Sequence, residues 1–313
     1  MKILLTGGTG QVGFELQRSL APLGRVIAPV RAELNLANLT QVASFLRHVE
    51  PDVIVNAAAW TAVDAAEEHP AQAQELNAEL PEQLASYARK NGALLVHYSS
   101  DYVYAGDSEQ PYSEEEACLP LSVYGRSKLD GDQAILDSCC RHLIFRTSWV
   151  YSERGRNFLN TMLRMGQTHD ELEVVDDQVG APTSARLIAD TTALALTPLV
   201  SPRGSSLEQG IYHLAARGST SWHGFAQAIF QHADSRGLRL RIRPERVRPI
   251  STTDYPTPAE RPLNSRLDVS RLEKALGLQM PAWEKGLRAV LDNHPVFNGS
   301  PHGAPPPEQR HAT

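Results

Sequence analysis

The chain predicts an α/β fold, a doubly wound parallel sheet carrying a smaller C-terminal lobe, and three observations predict it. Apolar runs recur that are continuous where a half-exposed strand would alternate, as in "KILL" (Lys2 to Leu5) and "PDVIVNAAAW" (Pro51 to Trp60); strands covered on both faces read this way. Amphipathic stretches separate the runs, the order expected of a parallel sheet with crossover helices. The first run passes straight into a glycine cluster and then a helical pattern, so strand, tight turn and helix open the chain.

In order, "RVIAPV" (Arg25 to Val30) is the second strand, and the amphipathic segment Leu39 to Val49 leads to the third, Pro51 to Trp60. Ala73 to Lys90 reads as helix, "GALLVHYSSD" (Gly92 to Asp101) as the fourth strand, Ser127 to Ser138 as helix and "HLIFRTSWV" (His142 to Val150) as the fifth strand. "LEVVDDQ" (Leu172 to Gln178) extends the same series, and "APTSARLIADTTALAL" reads as a packed helix. The expected dinucleotide-binding domain is residues 1–150 together with about 172–198; about 151–171 and 199–295 form the smaller lobe. The tail 296–313, rich in proline, glycine and polar residues, is expected to be disordered.

Composition excludes several classes of partner. Over 313 residues, 30 basic side chains stand against 36 acidic ones, a formal charge of -6 with no long basic run, so neither nucleic acid nor an anionic membrane surface is an expected partner. Cys118, Cys139 and Cys140 cannot make a disulfide framework, the last two being adjacent, which points to a reducing compartment. "MKILLTGGTG" lacks the apolar length and cleavage site of a signal peptide, and no stretch reaches the roughly 18 apolar residues of a spanning helix. A cytoplasmic protein acting on a small molecule is the expectation. The histidines show no HxxxH or HxH pair, so no zinc site is expected.

Gly7, Gly10 and Gly13 give the spacing G-x-x-G-x-x-G at the first strand-helix junction. Glycine suits a turn whose backbone must approach a pyrophosphate, with the helix N-terminus behind it offering free N–H groups. Arg31 ends the second strand where an NAD site usually carries an acid for the ribose hydroxyls, so it favours a 2'-phosphate and NADPH. In "SVYGRSK", Tyr124 and Lys128 share a helix face. Alone, that spacing is an ordinary solvated arrangement; a cofactor turn upstream and a polar strand end beside it give it another meaning.

With the glycine turn, "NAAAW", "SSDYVYAG", "YGRSK", "RTSWVY", "DQVGAPT" and "RPLNSRLD" in the same order, the chain from Lys2 to about Leu291 resembles the extended short-chain dehydrogenase/reductases. The resemblance implies a Rossmann-type domain, NADPH as hydride donor with NADH as the alternative, and a dTDP-linked 4-keto sugar as substrate. It implies that Tyr124 is the proton donor, Lys128 its partner and Ser100 the third member, where the family usually has threonine. Against the cofactor it places Gly7, Gly10, Gln11, Val12 and Gly13, then Arg31, Asn35 and Leu36, and then Ala58, Ala59, Trp60 and Tyr98 beside Tyr124 and Lys128. The implied sugar site is Val63, Ser100, Asp101, Tyr124, Trp149, Arg261 and Asn264. Some members carry Mg²⁺ between acidic residues at a dimer interface. Glu15 matches that pattern, but Arg186 stands where an acid would help, so the expectation is a homodimer without the metal. Related epimerases and dehydratases use the same tyrosine and lysine, and a regulatory subunit of methionine adenosyltransferase shares the fold without catalysis; both remain alternatives.

The residues suit that chemistry. A tyrosine has an ordinary pKa of about 10, too high for easy proton transfer near neutrality, and a cation one helical turn away lowers it. Ser100, at the C-terminal end of a parallel strand, stands where open α/β sheets bind ligands, and its hydroxyl can bond a carbonyl. Arg261, Asn264 and Arg266 bring two cations and an amide suited to a diphosphate, or equally cap a loop and pair with nearby acids.

Overall fold

The computed structural model of the chain describes residues 1–201 and 207–297. Five strands follow the expected order: β1 (Lys2–Thr6), β2 (Arg25–Ile27), β3 (Val53–Asn56), β4 (Leu94–Ser100) and β5 (Arg141–Thr147). With the strand Gly210–His213 they make one six-stranded parallel sheet, in the spatial order Gly210–His213, β5, β4, β3, β1, β2. Sequence order reverses between β1 and β3, so the crossovers diverge there and a cleft opens at the carboxyl ends of the strands.

Ile3 and Leu5 of β1 face one core with Leu16 and Leu20 of α1 (Gln11–Leu20) and Ile188 of the helix Ala185–Leu196. Leu4 faces the other, with Val42 and Leu46 of α2 (Leu39–Val49) and Leu84 of the helix Leu80–Asn91. Successive side chains of a strand point to opposite faces, so a strand covered on both sides must be apolar at every position. That is why these runs do not alternate. Strand β2 is shorter than expected because Pro29 has no N–H to donate to the ladder.

Leu172–Val175 is not a strand of the main sheet. It pairs in parallel with Val247–Ile250 in the smaller lobe, where Leu172 and Val174 pack with Phe225, Ile229 and Phe230. The sixth place in the sheet goes to Gly210–His213, bonded along β5. Of the segment expected to return at 172–198, the helix Ala185–Leu196 does so, packing along α1. A four-residue apolar strand fits any free sheet edge. The helix Phe158–Thr168, which belongs to the small-lobe core, carries the chain away before Leu172 is reached.

The smaller lobe is built on the helices Phe158–Thr168, Trp222–Ser235 and Trp283–Asp292 around Tyr151, Phe225, Phe230 and Leu287. Val296 and Phe297, at the start of the tail expected to be disordered, pack against this core; residues 298–313 of that tail lie outside the described residues. Among the described residues no helix is long and apolar enough to cross a membrane.

Candidate active site

The glycine turn closes on itself. Gly10 N–H donates to the Gly7 carbonyl at 2.9 Å, and Gly7 takes φ +69°. A Cβ on Gly7 would lie 2.7 Å from the Ala57 carbonyl, and one on Gly13 would overlap the backbone of Gly7. Both positions therefore require glycine. Gly10 caps α1 without a side-chain acceptor, so the first N–H groups of that helix, at Gln11 and Val12, are not taken by a capping side chain. This geometry fits a dinucleotide pyrophosphate.

The surroundings of the cradle are graded. Arg31 is exposed, in the turn after β2 where Val30 N–H donates to Glu33 Oε2 at 3.0 Å. Asn35 closes the next turn, its Oδ1 accepting from Ala37 N–H at 3.2 Å, and Leu36 and Ala58 pack partly buried on the core under α2. Ala59 and Trp60 follow β3, and Trp60 N–H donates to Asn77 Oδ1 at 2.8 Å. Gln11 also ties the start of α1 to the smaller lobe, where its Oε1 accepts from Ser152 Oγ at 2.9 Å and from Asn157 Nδ2 at 2.7 Å.

The tyrosine helix, Val123–Asp137, starts four residues before the Ser127 expected from the sequence, and so takes in Tyr124. Ser122 is its N-cap, accepting from Gly125 N–H at 3.2 Å, and Glu67 accepts from Val123 N–H at 2.9 Å. Gly125 is glycine because the helix lies on the Tyr102 carbonyl, which a Cβ would strike. Asn77, buried in the π-helical turn Glu75–Glu79, donates to Ser127 Oγ at 3.0 Å and to the Trp60 carbonyl at 3.0 Å, linking the loop after β3 to this helix. Sequence reading missed Asn77. Its signal was a fully buried amide inside a helix, invisible without the fold.

Ser100 ends β4 close enough for its hydroxyl to act on the Tyr124 phenol. It also accepts from Tyr102 N–H at 3.2 Å and donates to Asp101 Oδ1 at 2.8 Å. Burial pushes the Tyr124 phenol up to about 12; the Ser100 hydroxyl opposes this, while Asp101 and Asp132 reinforce it. Burial also pushes Asp101 up to about 6, against the hydroxyls of Ser265 and Ser100. Lys128, one helical turn from the phenol on the same helix, also bonds groups of the sheet. Lys128 is fully buried, its Nζ donating to the Tyr98 carbonyl at 2.7 Å and lying 3.3 Å from His97 Nε2, and burial lowers it to about 8 against the pull of Asp132. Tyr98 reaches this site only through that carbonyl; its hydroxyl is 2.8 Å from Thr192 Oγ1 in the core.

The outer wall comes from the smaller lobe. Trp149 takes φ +48° and stacks on Trp222 with ring centroids 3.5 Å apart. Trp222 Nε1 donates to Gln178 Oε1 at 3.2 Å, and Gly180 leaves room for the Trp149 ring. Trp222 and Gln178 were not singled out as site residues in the sequence. Arg261 bonds Asp64 Oδ2 at 2.8 Å, the Ala259 carbonyl at 3.1 Å and Thr257, so it locks the lobe onto the short helix Val63–Glu68. Val63 opens that helix beside it. Asn264 is fully used as a brace: it donates to the Ser108 and Gln110 carbonyls at 2.7 and 2.8 Å, and its Oδ1 accepts from Arg266 Nε at 2.8 Å.

The Mg²⁺ pattern does not fit. Glu15 pairs with Arg18 at 3.3 Å, and Arg18 and Arg186 both reach Asp190, at 3.1 and 3.8 Å. Two guanidinium groups among these carboxylates leave no oxygen cage of the kind Mg²⁺ takes. Among the described residues, no group of three acidic, histidine or cysteine side chains could hold a metal ion.

Residues 1–295 match the family model described as the RmlD substrate binding domain. The chain is 46% identical over 296 residues to a dTDP-4-dehydrorhamnose reductase of Shigella flexneri, covering 93% of this chain and 97% of that one. A crystal structure of a dTDP-4-dehydrorhamnose reductase from Clostridium acetobutylicum superposes with a TM-score of 0.84 at 36% identity, over 93% of this chain and 99% of that one. The Bacillus anthracis enzyme in complex with NADP gives 0.82 at 32% identity, over 93% and 98%.

Proposed function

Because the chain belongs to the RmlD substrate binding domain family, we propose that Ser100, Tyr124 and Lys128 form the catalytic group of a dTDP-4-dehydrorhamnose reductase, as its relatives are named. It is an NADPH-dependent oxidoreductase that reduces the 4-keto group of dTDP-4-dehydrorhamnose to give dTDP-L-rhamnose.

The observation that carries the residue assignment is that Ser100 ends β4 where its hydroxyl acts on the Tyr124 phenol, on the same edge of the sheet as the glycine cradle. NADPH, when bound, supplies the hydride. The Ser100 hydroxyl bonds the substrate carbonyl oxygen and sets its angle, and the Tyr124 phenol gives that oxygen its proton as the carbon is reduced. With the phenol held at about 12 in the chain alone, tyrosinate is costly. Its proton must be recovered through the open cleft or through Lys128. We assign the Trp149 face, stacked on Trp222, to the deoxysugar, and Arg261, paired with Asp64, to the diphosphate.

Purified protein given NADPH and the dTDP-4-keto sugar should consume cofactor and form dTDP-L-rhamnose in equal amounts. Cofactor that binds without net consumption would transfer the assignment to an epimerase or to a non-catalytic subunit.

A further inference from the structure

Three residues beneath the cofactor cradle form a row that the reductase reading does not use. Thr6, Asn56 and His97 lie at one level on adjacent parallel strands, since Thr6 is in register with Asn56 and Asn56 with His97. All three are buried, with His97 at 0% exposure. Thr6 Oγ1 donates to Asn56 Oδ1 at 2.6 Å, Asn56 Nδ2 lies 3.0 Å from His97 Nδ1, and His97 Nε2 lies 3.3 Å from Lys128 Nζ.

Proton counting restricts this row. An ammonium is donor-only, so when Lys128 is charged His97 Nε2 must present its lone pair, and the neutral ring then carries its proton on Nδ1. Asn56 must answer with its oxygen and turn its amide toward Thr6 Oγ1. A neutral Lys128 amine has a lone pair to offer, so the pattern can then invert: Nε2–H donates to Nζ, Nδ1 accepts from Asn56 Nδ2, and Thr6 donates to Asn56 Oδ1. A half-turn of the Asn56 amide exchanges the two patterns, and each leaves His97 and Asn56 bonded on both sides. Imidazolium would turn a second donor on the Lys128 ammonium, and burial and that charge both hold His97 well below the usual histidine range.

We propose that His97, backed by Asn56 and Thr6, is a positioning residue that holds Lys128 in place in both of its charge states. Lys128 can then release and regain a proton in a buried site without orphaning a polar group. The charged groups around the pair are few. Asp132 lies one turn along the same helix, bonded to Ser99 at 2.9 Å and to Arg146 of β5 at 3.1 Å, and Tyr124 is one turn back. The Glu75–Glu79 turn presents the neutral Asn77, β3 the neutral Asn56 and β1 the neutral Thr6.

The inference rests on Lys128 being the cation of the reductase site, but its first test needs no turnover, so failure of either reading is seen separately. In ¹⁵N-histidine-labelled protein, with the His97 signal identified by its loss in His97→Gln, the ring should carry its proton on Nδ1 below about pH 7 and on Nε2 above about pH 9, crossing near the Lys128 value of about 8. One tautomer throughout, or an imidazolium signal, would overturn the proposal. In turnover, His97→Leu removes the acceptor from the ammonium, so the basic limb of the kcat pH profile should move down by about one to two pH units. His97→Gln, whose amide can turn to donate or accept near the former Nε2, should restore it. A limb unmoved in His97→Leu would reduce His97 to packing.

Discussion

On the floor of the cleft, Lys128 and His97 are buried to 1% and 0% exposure and bond to groups fixed by strand register. On the outer wall, Trp149 and Trp222 are partly exposed and meet by stacking alone, and Arg261 holds the 42% exposed Asp64. A proton donor tolerates little displacement, so its supports come from the sheet, the stiffest part of the molecule. A sugar nucleotide must enter and leave, and the wall that would hold it is built from partly exposed groups. Electrostatics follow the same division. Burial moves Tyr124, Lys128, His97 and Asp101 on the floor, whereas on the wall a bonded guanidinium lowers Asp64.

The comparison breaks first at Tyr124. Tyr124→Phe removes the transferable proton and little volume, so kcat should fall by about 10²–10⁴-fold with NADPH affinity retained; turnover near that of the unmodified enzyme would show that the floor does not house the proton donor.

Asp101 sharpens it through pH. Its carboxyl is raised from 3.8 to about 6 in the folded chain, so the native state holds the proton more tightly. The stability this contributes is present below pH 3.8 and is lost as the pH rises through about 6. That gap corresponds to about 3 kcal/mol. Denaturant melts of the unmodified protein and Asp101→Asn should therefore differ by an amount that changes across this window, the unmodified protein losing ground as the pH rises. A constant difference would place Asp101 in a solvated, wall-like setting.

Smaller effects belong to the exposed cations. Arg31→Ala should raise the KM for NADPH by about tenfold and that for NADH much less; equal changes would show that Arg31 does not read the 2'-phosphate. Arg261→Ala should raise the KM for the sugar nucleotide by about fivefold or less, as befits a half-exposed ion pair, with the effect shrinking as salt is added. A fall in kcat as large as that of Tyr124→Phe would mean that Arg261 acts on the chemistry and that wall and floor are not separate.

What the sequence determined by itself was local: the five parallel strands, the glycine turn and the shared helix face of Tyr124 and Lys128 were legible, as was Ser100 at a strand end, whereas the helix start at Val123 and its Ser122 cap were not. Each legible feature is written in neighbouring residues, through two-sided burial, a turn that admits no Cβ, or an i, i+4 spacing. What only the tertiary structure decided was which distant groups meet. Leu172–Val175 and Gly210–His213 are both short strands, and which joins the main sheet depends on where the helix Phe158–Thr168 takes the chain. Trp149 and Trp222 are far apart in sequence yet share one stack. The placement of Lys128 Nζ on His97 and the Tyr98 carbonyl follows from strand register and helix docking. The physical reason is range: periodicity and turn sterics act over a few residues, whereas a buried polar group takes whatever partner the packed elements bring within about 3 Å of it.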